Sequence, residues 1–379
     1  MSMVDSFEKI SCCILPDFKA GSRFAAQEVV SLIKERQSQG KPCVLGLATG
    51  STPKTLYTEL IRLHKEEGVS FKNVIAFNLD EYYPIDKNAL QSYHRFMRVN
   101  LFDHIDIDQA NCHIPSGEWP KDKVKEYCAR YEQLIENAGG IDLQILGIGI
   151  NGHIGFNEPG SSVYSKTRLV TLENSTRLAN SYEFVNISQV PRLAVTTGIS
   201  TIMKAKKILL MAWGQSKAPV VKSSMEDNIT ESIPASLLQN HDNCVFVFDE
   251  LAASELTRIK SPWLTGDCEW TPKLIRRAVI NAAIKLNKPV LSLTNSDYTD
   301  NGLGDLLVEK GDVYEINLQV FYMLRDSITG WPGGKPNSDI PQHPERSTPY
   351  PKKVVIFSPH PDDDIISMGG TFQRLHDQG

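Results

Sequence analysis

The chain has 379 residues, of which 41% are hydrophobic and 22% are charged, a composition typical of a globular protein with a sizeable core. Its formal net charge of -5 provides no overall basic field that would favour nucleic acid. The first ten residues lack the charged and apolar regions of a signal peptide, and the apolar runs are too short to cross a bilayer. We therefore expect a cytoplasmic protein that binds neither nucleic acid nor membranes.

The seven cysteines are odd in number, and no two of them are spaced as C-x-x-C. This pattern argues against a zinc ribbon and against a disulfide framework. We expect reduced thiols, several of which fill the core.

Short apolar segments alternate with amphipathic stretches from about residue 20 to 250. This alternation predicts an α/β fold with a mainly parallel sheet and helices on both faces. Ligands of such sheets bind beyond the carboxyl ends of the strands. In chain order, strands are predicted at 43–47, 74–78, 143–148, 193–196, 207–211 and 244–248, and helices at 22–39, 53–67, 93–101, 123–137, 198–205 and 217–225.

The pattern becomes mainly helical after residue 250, at 250–260, 272–286 and 314–325. The segment 330–351 contains six prolines and three glycines, which is typical of a linker. A further strand is predicted at 354–357, in a last segment too short to fold alone. The predicted organisation is a first domain over 1–250, a helical extension over 251–329, a linker over 330–351 and the start of another domain over 352–379.

An anion site is predicted where the first strand ends, in the sequence VLGLATGSTP. The turn Thr49-Gly50-Ser51-Thr52 precedes a helix, whose free N–H groups and dipole favour a phosphate. The Walker pattern is absent, so a nucleoside triphosphate is disfavoured. A capped helix without a ligand is the alternative.

Lys217 also follows a strand at a predicted helix start, in WGQSKA. A cation is unfavourable at a helix N-terminus unless an anion lies between them. We therefore predict a second phosphate contact at Lys217, with a solvated surface lysine as the alternative.

Two adjacent acids, Asp80 and Glu81, follow the second strand in FNLDEYY. Neighbouring residues of an extended chain point in opposite directions, so one acid can enter a cleft while the other pairs elsewhere. A carboxylate in a partly apolar pocket can serve as a base that moves a proton on carbon. The alternative, favoured by this segment alone, is a pair of acids in a surface loop.

The stretch LGIGINGHIGFNEPG, residues 146–160, places His153 and Glu158 in a glycine-rich turn after an apolar strand. Its G-x-G-x-x-G resembles a dinucleotide fingerprint, but the turn residues up to Gly160 break the helix which that fingerprint needs. We expect the glycines to bring the backbone close to a substrate, within reach of both titratable groups. A purely structural histidine is the alternative.

Taken together and in order, LGLATGSTP, FNLDEYY, LQSYHRFM, GINGHIGFNEPGSS and WGQSKA resemble the glucosamine-6-phosphate deaminase family over residues 15–250. The resemblance implies a modified Rossmann-like sheet and conversion of glucosamine 6-phosphate and water to fructose 6-phosphate and ammonia, in amino-sugar catabolism. It implies no metal or organic cofactor, an amino-sugar phosphate as small-molecule partner, and a homo-oligomer. By position it makes Asp80 the base that moves a proton between C1 and C2, His153 the ring-opening residue, Glu158 its charge-relay partner, and Gly50, Ser51, Thr52 and Lys217 the phosphate contacts.

Three positions depart from the family pattern. Asn151 replaces an Asp that some members carry; it can still orient the imidazole, but it adds no charge. Tyr182 stands where many members have a phosphate-binding Arg in the lid segment, which implies a weaker grip on the substrate or another amino-sugar phosphate. Val170 replaces a lysine that contacts the activator in allosteric members, although Arg168 and Ser161 remain, so we expect no allosteric activation.

The last segment, VVIFSPHPDDDIISMGGT, resembles the start of the GlcNAc-phosphatidylinositol/LmbE-like deacetylase family. By position, His360 and Asp363 match zinc ligands and Asp362 matches the base. Two protein ligands are too few for a catalytic zinc site. We therefore expect no metal unless the rest of that domain is present, and interpret the chain as a truncated fusion.

Two other functions remain open. A 6-phosphogluconolactonase shares the fold, but that family lacks a glutamate at the position of Glu158. A non-catalytic sugar-phosphate sensor would explain Asn151 and Tyr182, yet a sensor needs no proton-transfer groups.

Overall fold

The computed structural model describes residues 7–326 and 353–360, and residues 362, 365, 368, 369, 372 and 376 beyond them. The chain divides into two compact units, Met1–Thr265 and Gly266–Gly379. The predicted linker at 330–351 and the predicted ligand Asp363 lie outside the described residues. No helix in the described part of the chain is both long and apolar enough to cross a membrane.

A seven-stranded parallel sheet forms the centre of the first unit. Its strands are β1 Ser11–Leu15, β2 Cys43–Leu47, β3 Val74–Asn78, β5 Cys112–His113, β6 Leu143–Leu146, β9 Ile208–Ala212 and β10 Cys244–Asp249. They lie in the order β1-β10-β9-β6-β2-β3-β5. The inner strands, such as β2 and β9, are buried along their whole length, as expected when helices cover both faces.

Helices pack on both faces of this sheet. They are α1 Phe18–Ser38, α2 Ser51–Glu67, α3 Tyr93–Asn100, α4 Val124–Asn137, α5 Asn174–Ala179, α6 Ile199–Ile202, α7 Ala218–Glu226 and α8 Thr257–Lys260. One apolar cluster joins α1 and α2 to the side chains of Leu45 and Ile145, and another joins α4 and α7 to Leu146 and Leu210. The predicted α/β fold with a mainly parallel sheet is therefore confirmed.

A second, antiparallel sheet was not predicted. It consists of β4 Asp80–Tyr83, β7 Arg168–Thr171 and β8 Leu193–Thr196, in the order β4-β8-β7. The strand predicted at 193–196 has the predicted bounds, but it lies in this second sheet and pairs antiparallel with β4 and β7. Strands of four residues carry little periodicity, and each pairs with a partner distant in sequence, so tertiary contacts decide their structure.

Between residues 266 and 326 the second unit is mainly helical, with α9 Pro272–Leu286, α10 Asn295–Asp300, α11 Gly304–Lys310 and α12 Val313–Asp326. The Thr271 side chain caps α9 by accepting a hydrogen bond from the Leu274 N–H. A buried hydrogen bond from the Tyr298 hydroxyl to Asn317 links α10 to α12 at 2.8 Å. The proposed domain boundaries at 250 and 329 remain predictions.

Residues 353–358 have no regular secondary structure, so the strand predicted at 354–357 was wrong. A single strand needs a neighbour for its N–H and C=O groups, and no described strand pairs with this segment. Three of its apolar side chains, those of Val354, Val355 and Phe357, are exposed.

Candidate active site

A cavity of about 230 Å³ opens beyond the carboxyl ends of β2, β3 and β6. This is the edge of a parallel sheet at which ligands are expected. Its lining includes Thr49, Gly50, Ser51, Thr52, Asp80, Tyr93, Gly149, Ile150, His153, Phe156, Thr176, Asn180, Tyr182 and Lys217. The fold thus brings together the predicted phosphate-binding turn, the predicted base and the predicted ring-opening histidine, whereas Asn151 and Glu158 are not part of the lining.

The turn after β2 leads into the N-terminus of α2. Gly50 has a φ of 100°, a backbone conformation that favours glycine, and no side chain caps this 17-residue helix. The partial positive charge of the helix N-terminus therefore lies at the cavity wall formed by Ser51 and Thr52. Such an end can bind a phosphate without a dedicated side chain.

Lys217 lies in a short turn between β9 and α7, and its Nζ donates to the Ile148 carbonyl at 2.7 Å. Burial lowers the pKa of the Lys217 ammonium. Among the described residues that line the cavity, Lys217 is the only lysine or arginine. A phosphate beside it would offset the cost of burying this charge.

Asp80 begins β4 and is only 5% exposed, in the cavity wall. Burial and the negative charge of Glu81 raise the pKa of the Asp80 carboxyl to about 8, although a hydrogen bond with Thr49 opposes them. A carboxyl with such a pKa can both take and return a proton near neutral pH.

Glu81 points away from the cavity toward the start of α3. Its carboxylate accepts hydrogen bonds from the Ser92 hydroxyl at 2.9 Å and from the N–H groups of Tyr93 and His94 at 3.0 and 3.1 Å. Burial raises the pKa of Glu81 to about 7, and these hydrogen bonds oppose the rise. One acid faces the cavity and the other pairs elsewhere, as predicted, and the surface-loop alternative was wrong.

The glycine-rich turn after β6 packs closely around His153. The Gly149 N–H donates to the His153 carbonyl at 2.9 Å, and a Cβ at Gly149 would lie 2.3 Å from the His153 ring. Gly155 has a φ of 58°, and a Cβ there would approach Asp80 Oδ2 to 3.3 Å. No helix opens within 147–160, so the stretch is not a dinucleotide fingerprint.

His153 and Glu158 form a pair, with 3.4 Å between His153 Nδ1 and Glu158 Oε2. Burial alone would raise the pKa of Glu158, but His153, Thr176 and Asn151 outweigh burial and lower it. The ionised carboxylate favours the imidazole tautomer with its proton on Nδ1, which leaves Nε2 to exchange a proton with a ligand. Thr176 Oγ1 also lies 3.4 Å from His153 Nδ1.

Asn151 positions the loop and two carboxylates, and its hydrogen bonds do not involve the imidazole ring. Its Oδ1 accepts a hydrogen bond from the His153 N–H at 3.2 Å. Its Nδ2 donates to Glu158 at 2.9 Å and to Glu173 at 3.1 Å. Sequence reasoning missed Glu173 and Thr176, because their only signal was the unrecognised strand β7 just before them.

The structure also defines the surroundings of Tyr182 and Arg168, which lie at or near the other positions where the chain departs from the family pattern. Tyr182 lines the cavity, whereas the Arg177 guanidinium donates to the carbonyls of Ile187 and Val190 and does not line it. Arg168 donates to Asn157 at 2.9 Å and to Ser161 at 3.1 Å.

The described residues of the last segment do not form a cluster of metal ligands. His360 and Asp362 are exposed. The described part of the chain contains no group of three or more His, Cys, Asp or Glu that could hold a metal ion.

The fold and the cavity define a Rossmann-like α/β protein in which an uncapped helix N-terminus, a buried carboxyl and a histidine–carboxylate pair lie at one cleft. The model of the glucosamine-6-phosphate isomerases/6-phosphogluconolactonase family matches residues 16–247. The chain therefore belongs to this family.

Similar sequences include a glucosamine-6-phosphate deaminase-like protein of Bacteroides thetaiotaomicron, 49% identical over 377 residues. That match covers 100% of this chain but 57% of the relative, so the chain spans little more than half of that relative's length. A glucosamine-6-phosphate deaminase of Mycoplasma mycoides is 48% identical over 236 residues, covering 62% of this chain and 95% of the relative.

Solved structures resemble the first unit. A monomeric glucosamine-6-phosphate deaminase is 43% identical, with a TM-score of 0.62, and the match covers 65% of this chain and 100% of that one. A 6-phosphogluconolactonase from Trypanosoma cruzi is 21% identical, with a TM-score of 0.53 and coverage of 66% and 98%. At that identity the likeness concerns the fold alone.

Proposed function

We propose that this protein is a glucosamine-6-phosphate deaminase, which converts glucosamine 6-phosphate and water to fructose 6-phosphate and ammonia. The observation that carries the proposal is that one cavity joins the N-terminus of α2 to Asp80 and to His153, which pairs with Glu158. The two glucosamine-6-phosphate deaminases among the similar proteins, at 43 and 48% identity, support the same activity.

The phosphate binds at the start of α2, where the amides of Gly50, Ser51 and Thr52 and the Lys217 ammonium supply positive charge. This contact fixes one end of the substrate and so orients its reacting carbons toward Asp80. Thr49 holds the Asp80 carboxyl by a hydrogen bond.

His153 opens the sugar ring by moving a proton from the C1 hydroxyl to the ring oxygen, while Glu158 stabilises the imidazolium. Asp80 then takes the proton from C2 and returns it to C1, while a proton passes from the nitrogen to the C1 oxygen, which leaves a hydroxyl at C1 and an imine at C2. Water adds to that imine and ammonia leaves, giving the ketose. Each positioned proton transfer contributes about 10²- to 10⁴-fold in rate.

A lactonase is the second candidate, because 6-phosphogluconolactonases share the fold. Lactone hydrolysis requires no proton transfer on carbon. Burial and the neighbour Glu81 raise the pKa of Asp80 to about 8, and this pKa suits such a transfer. The deaminase therefore accounts for more of the cavity. A sensor without catalysis accounts for neither Asp80 nor the His153–Glu158 pair.

The test is ammonia release from glucosamine 6-phosphate by the wild type and by Asp80→Asn. We expect release by the wild type and a rate at least about 100-fold lower in the variant. Asp242→Asn, which removes an exposed carboxylate, is the matched control and should behave as wild type. Hydrolysis of 6-phosphogluconolactone without ammonia release would instead establish the lactonase.

We also propose that the last segment begins a deacetylase-like domain that would act one step earlier on the acetylated sugar. Its support is the HPDD motif at His360, Asp362 and Asp363 and the greater length of the Bacteroides relative. The homo-oligomer and the cytoplasmic location stay predictions, and the solved deaminase at 43% identity is described as monomeric.

A further inference from the structure

The Asn151 side chain lies between two carboxylates and is not part of the cavity lining. Its two amide hydrogens point to Glu158 Oε2 at 2.9 Å and to Glu173 Oε2 at 3.1 Å. Glu158 is buried and contacts His153, whereas Glu173 is exposed. The amide therefore connects the proton-transfer pair with a carboxylate that the proposed mechanism does not use.

A neutral hydrogen-bond donor suits position 151, because this position lies between two carboxylates. An asparagine amide offers two N–H donors, one for each carboxylate, whereas an aspartate offers acceptors only. An aspartate at position 151 would remove both hydrogen bonds and put a third negative charge beside Glu158 and Glu173. The identity of residue 151 is thus coupled to the charge of residue 173.

The same contacts fix the start of the segment 173–182, which forms part of the cavity wall. The Glu173 N–H donates to Glu158 Oε1 at 3.2 Å, and Thr176 Oγ1 lies 3.4 Å from His153 Nδ1. Farther along, Asn180 donates to the Tyr82 hydroxyl at 3.1 Å, and Tyr182 lines the cavity. Moving the Glu173 end of this segment would therefore disturb both His153 and the wall.

We propose that Asn151 and Glu173 are paired positioning residues, in which the Asn151 amide bridges two carboxylates and holds the segment 173–182 against the His153–Glu158 pair. Residue 151 must then be neutral as long as residue 173 is acidic. The expected effect of this bridge on catalysis rests on the proposed deaminase activity. The bridge itself can be tested without that activity, by thermal unfolding.

The experiment compares the wild type with Asn151→Asp, Glu173→Gln and the double variant, measuring kcat and KM for ammonia release. We expect Asn151→Asp to lower kcat about 10- to 100-fold with KM changed less than about threefold, because the phosphate contacts are untouched. Glu173→Gln alone, which keeps an acceptor oxygen, should change kcat less than about threefold. The double variant should regain about tenfold, because the new glutamine amide at position 173 can donate to the new aspartate at position 151.

The matched control is a double variant that combines Asn151→Asp with Glu136→Gln. Glu136→Gln removes an exposed negative charge on α4, and it should not restore the activity lost in Asn151→Asp. A double variant no more active than Asn151→Asp, an equal rescue by Glu136→Gln, or a fully active Asn151→Asp would each overturn the proposal.

Thermal unfolding separates this inference from the proposed function. At pH 8 and without substrate, Asn151→Asp should lower the unfolding temperature by a few degrees, and adding Glu173→Gln should restore part of the loss. If the wild type releases no ammonia, the deaminase proposal fails while this pattern still supports the bridge. Additive unfolding shifts would refute the bridge whatever the activity.

Discussion

Replacing the buried Asp80 by asparagine should stabilise the protein while it abolishes activity. The side chain is 5% exposed, it has a hydrogen bond with Thr49, and the charge that perturbs it is that of another acid, Glu81. Ionising it in the folded state is therefore costly. An asparagine at this position would keep the shape of the side chain without the charge.

The magnitude follows from the proton linkage. Burial and Glu81 raise the pKa of Asp80 from the ordinary value of 3.8 to about 8. Below about pH 4 the carboxyl is protonated in both the folded and the unfolded state, so it does not change the free energy of unfolding. As pH rises from about 4 toward 8, the carboxyl ionises mainly in the unfolded state, and this lowers the free energy of unfolding. Above about pH 8 the loss is constant. At about 1.36 kcal/mol per pH unit the upper bound is about 6 kcal/mol, and relaxation of the buried site leaves about 2–4 kcal/mol.

Thermal unfolding of the wild type and of Asp80→Asn at pH 5, 6.5 and 8 measures this difference. We expect the variant to unfold at a higher temperature, with a gap that widens to about 5–10 °C at pH 8. Asp242→Asn, at an exposed position, should show no widening gap. A difference in unfolding temperature between Asp80→Asn and the wild type that is equal at pH 5 and pH 8 would refute the reasoning. The stabilisation would then not come from the buried charge.

Two further substitutions test the cavity. Gly149→Ala should lower kcat at least about 100-fold with little change in circular dichroism, because the new Cβ would lie 2.3 Å from the His153 ring; Gly304→Ala, where the added Cβ meets open space, is the control, and an active Gly149→Ala would contradict the geometry. Tyr182→Arg adds a cation to the cavity wall and should lower KM about tenfold with kcat unchanged; an unchanged or higher KM would show that residue 182 does not contact the phosphate.

Much of the first unit followed from local pattern. The strands at 43–47 and 74–78 were predicted with their observed bounds, because fully buried parallel strands are continuous apolar runs. The turn around Gly50 and the opposite directions of Asp80 and Glu81 followed from helix-end and strand geometry. These features depend on residues close together in the chain, so the sequence displays them directly.

The sequence by itself determined the fold class, the turn at the start of α2 and the candidate chemistry of Asp80, His153 and Glu158. Only the tertiary structure decided the second sheet and the contact between Asn151 and Glu173. Those two residues lie 22 positions apart, and they meet because β7, which precedes Glu173, pairs with β8 far along the chain. Contacts of that kind arise from long-range pairing and burial, which no local pattern records.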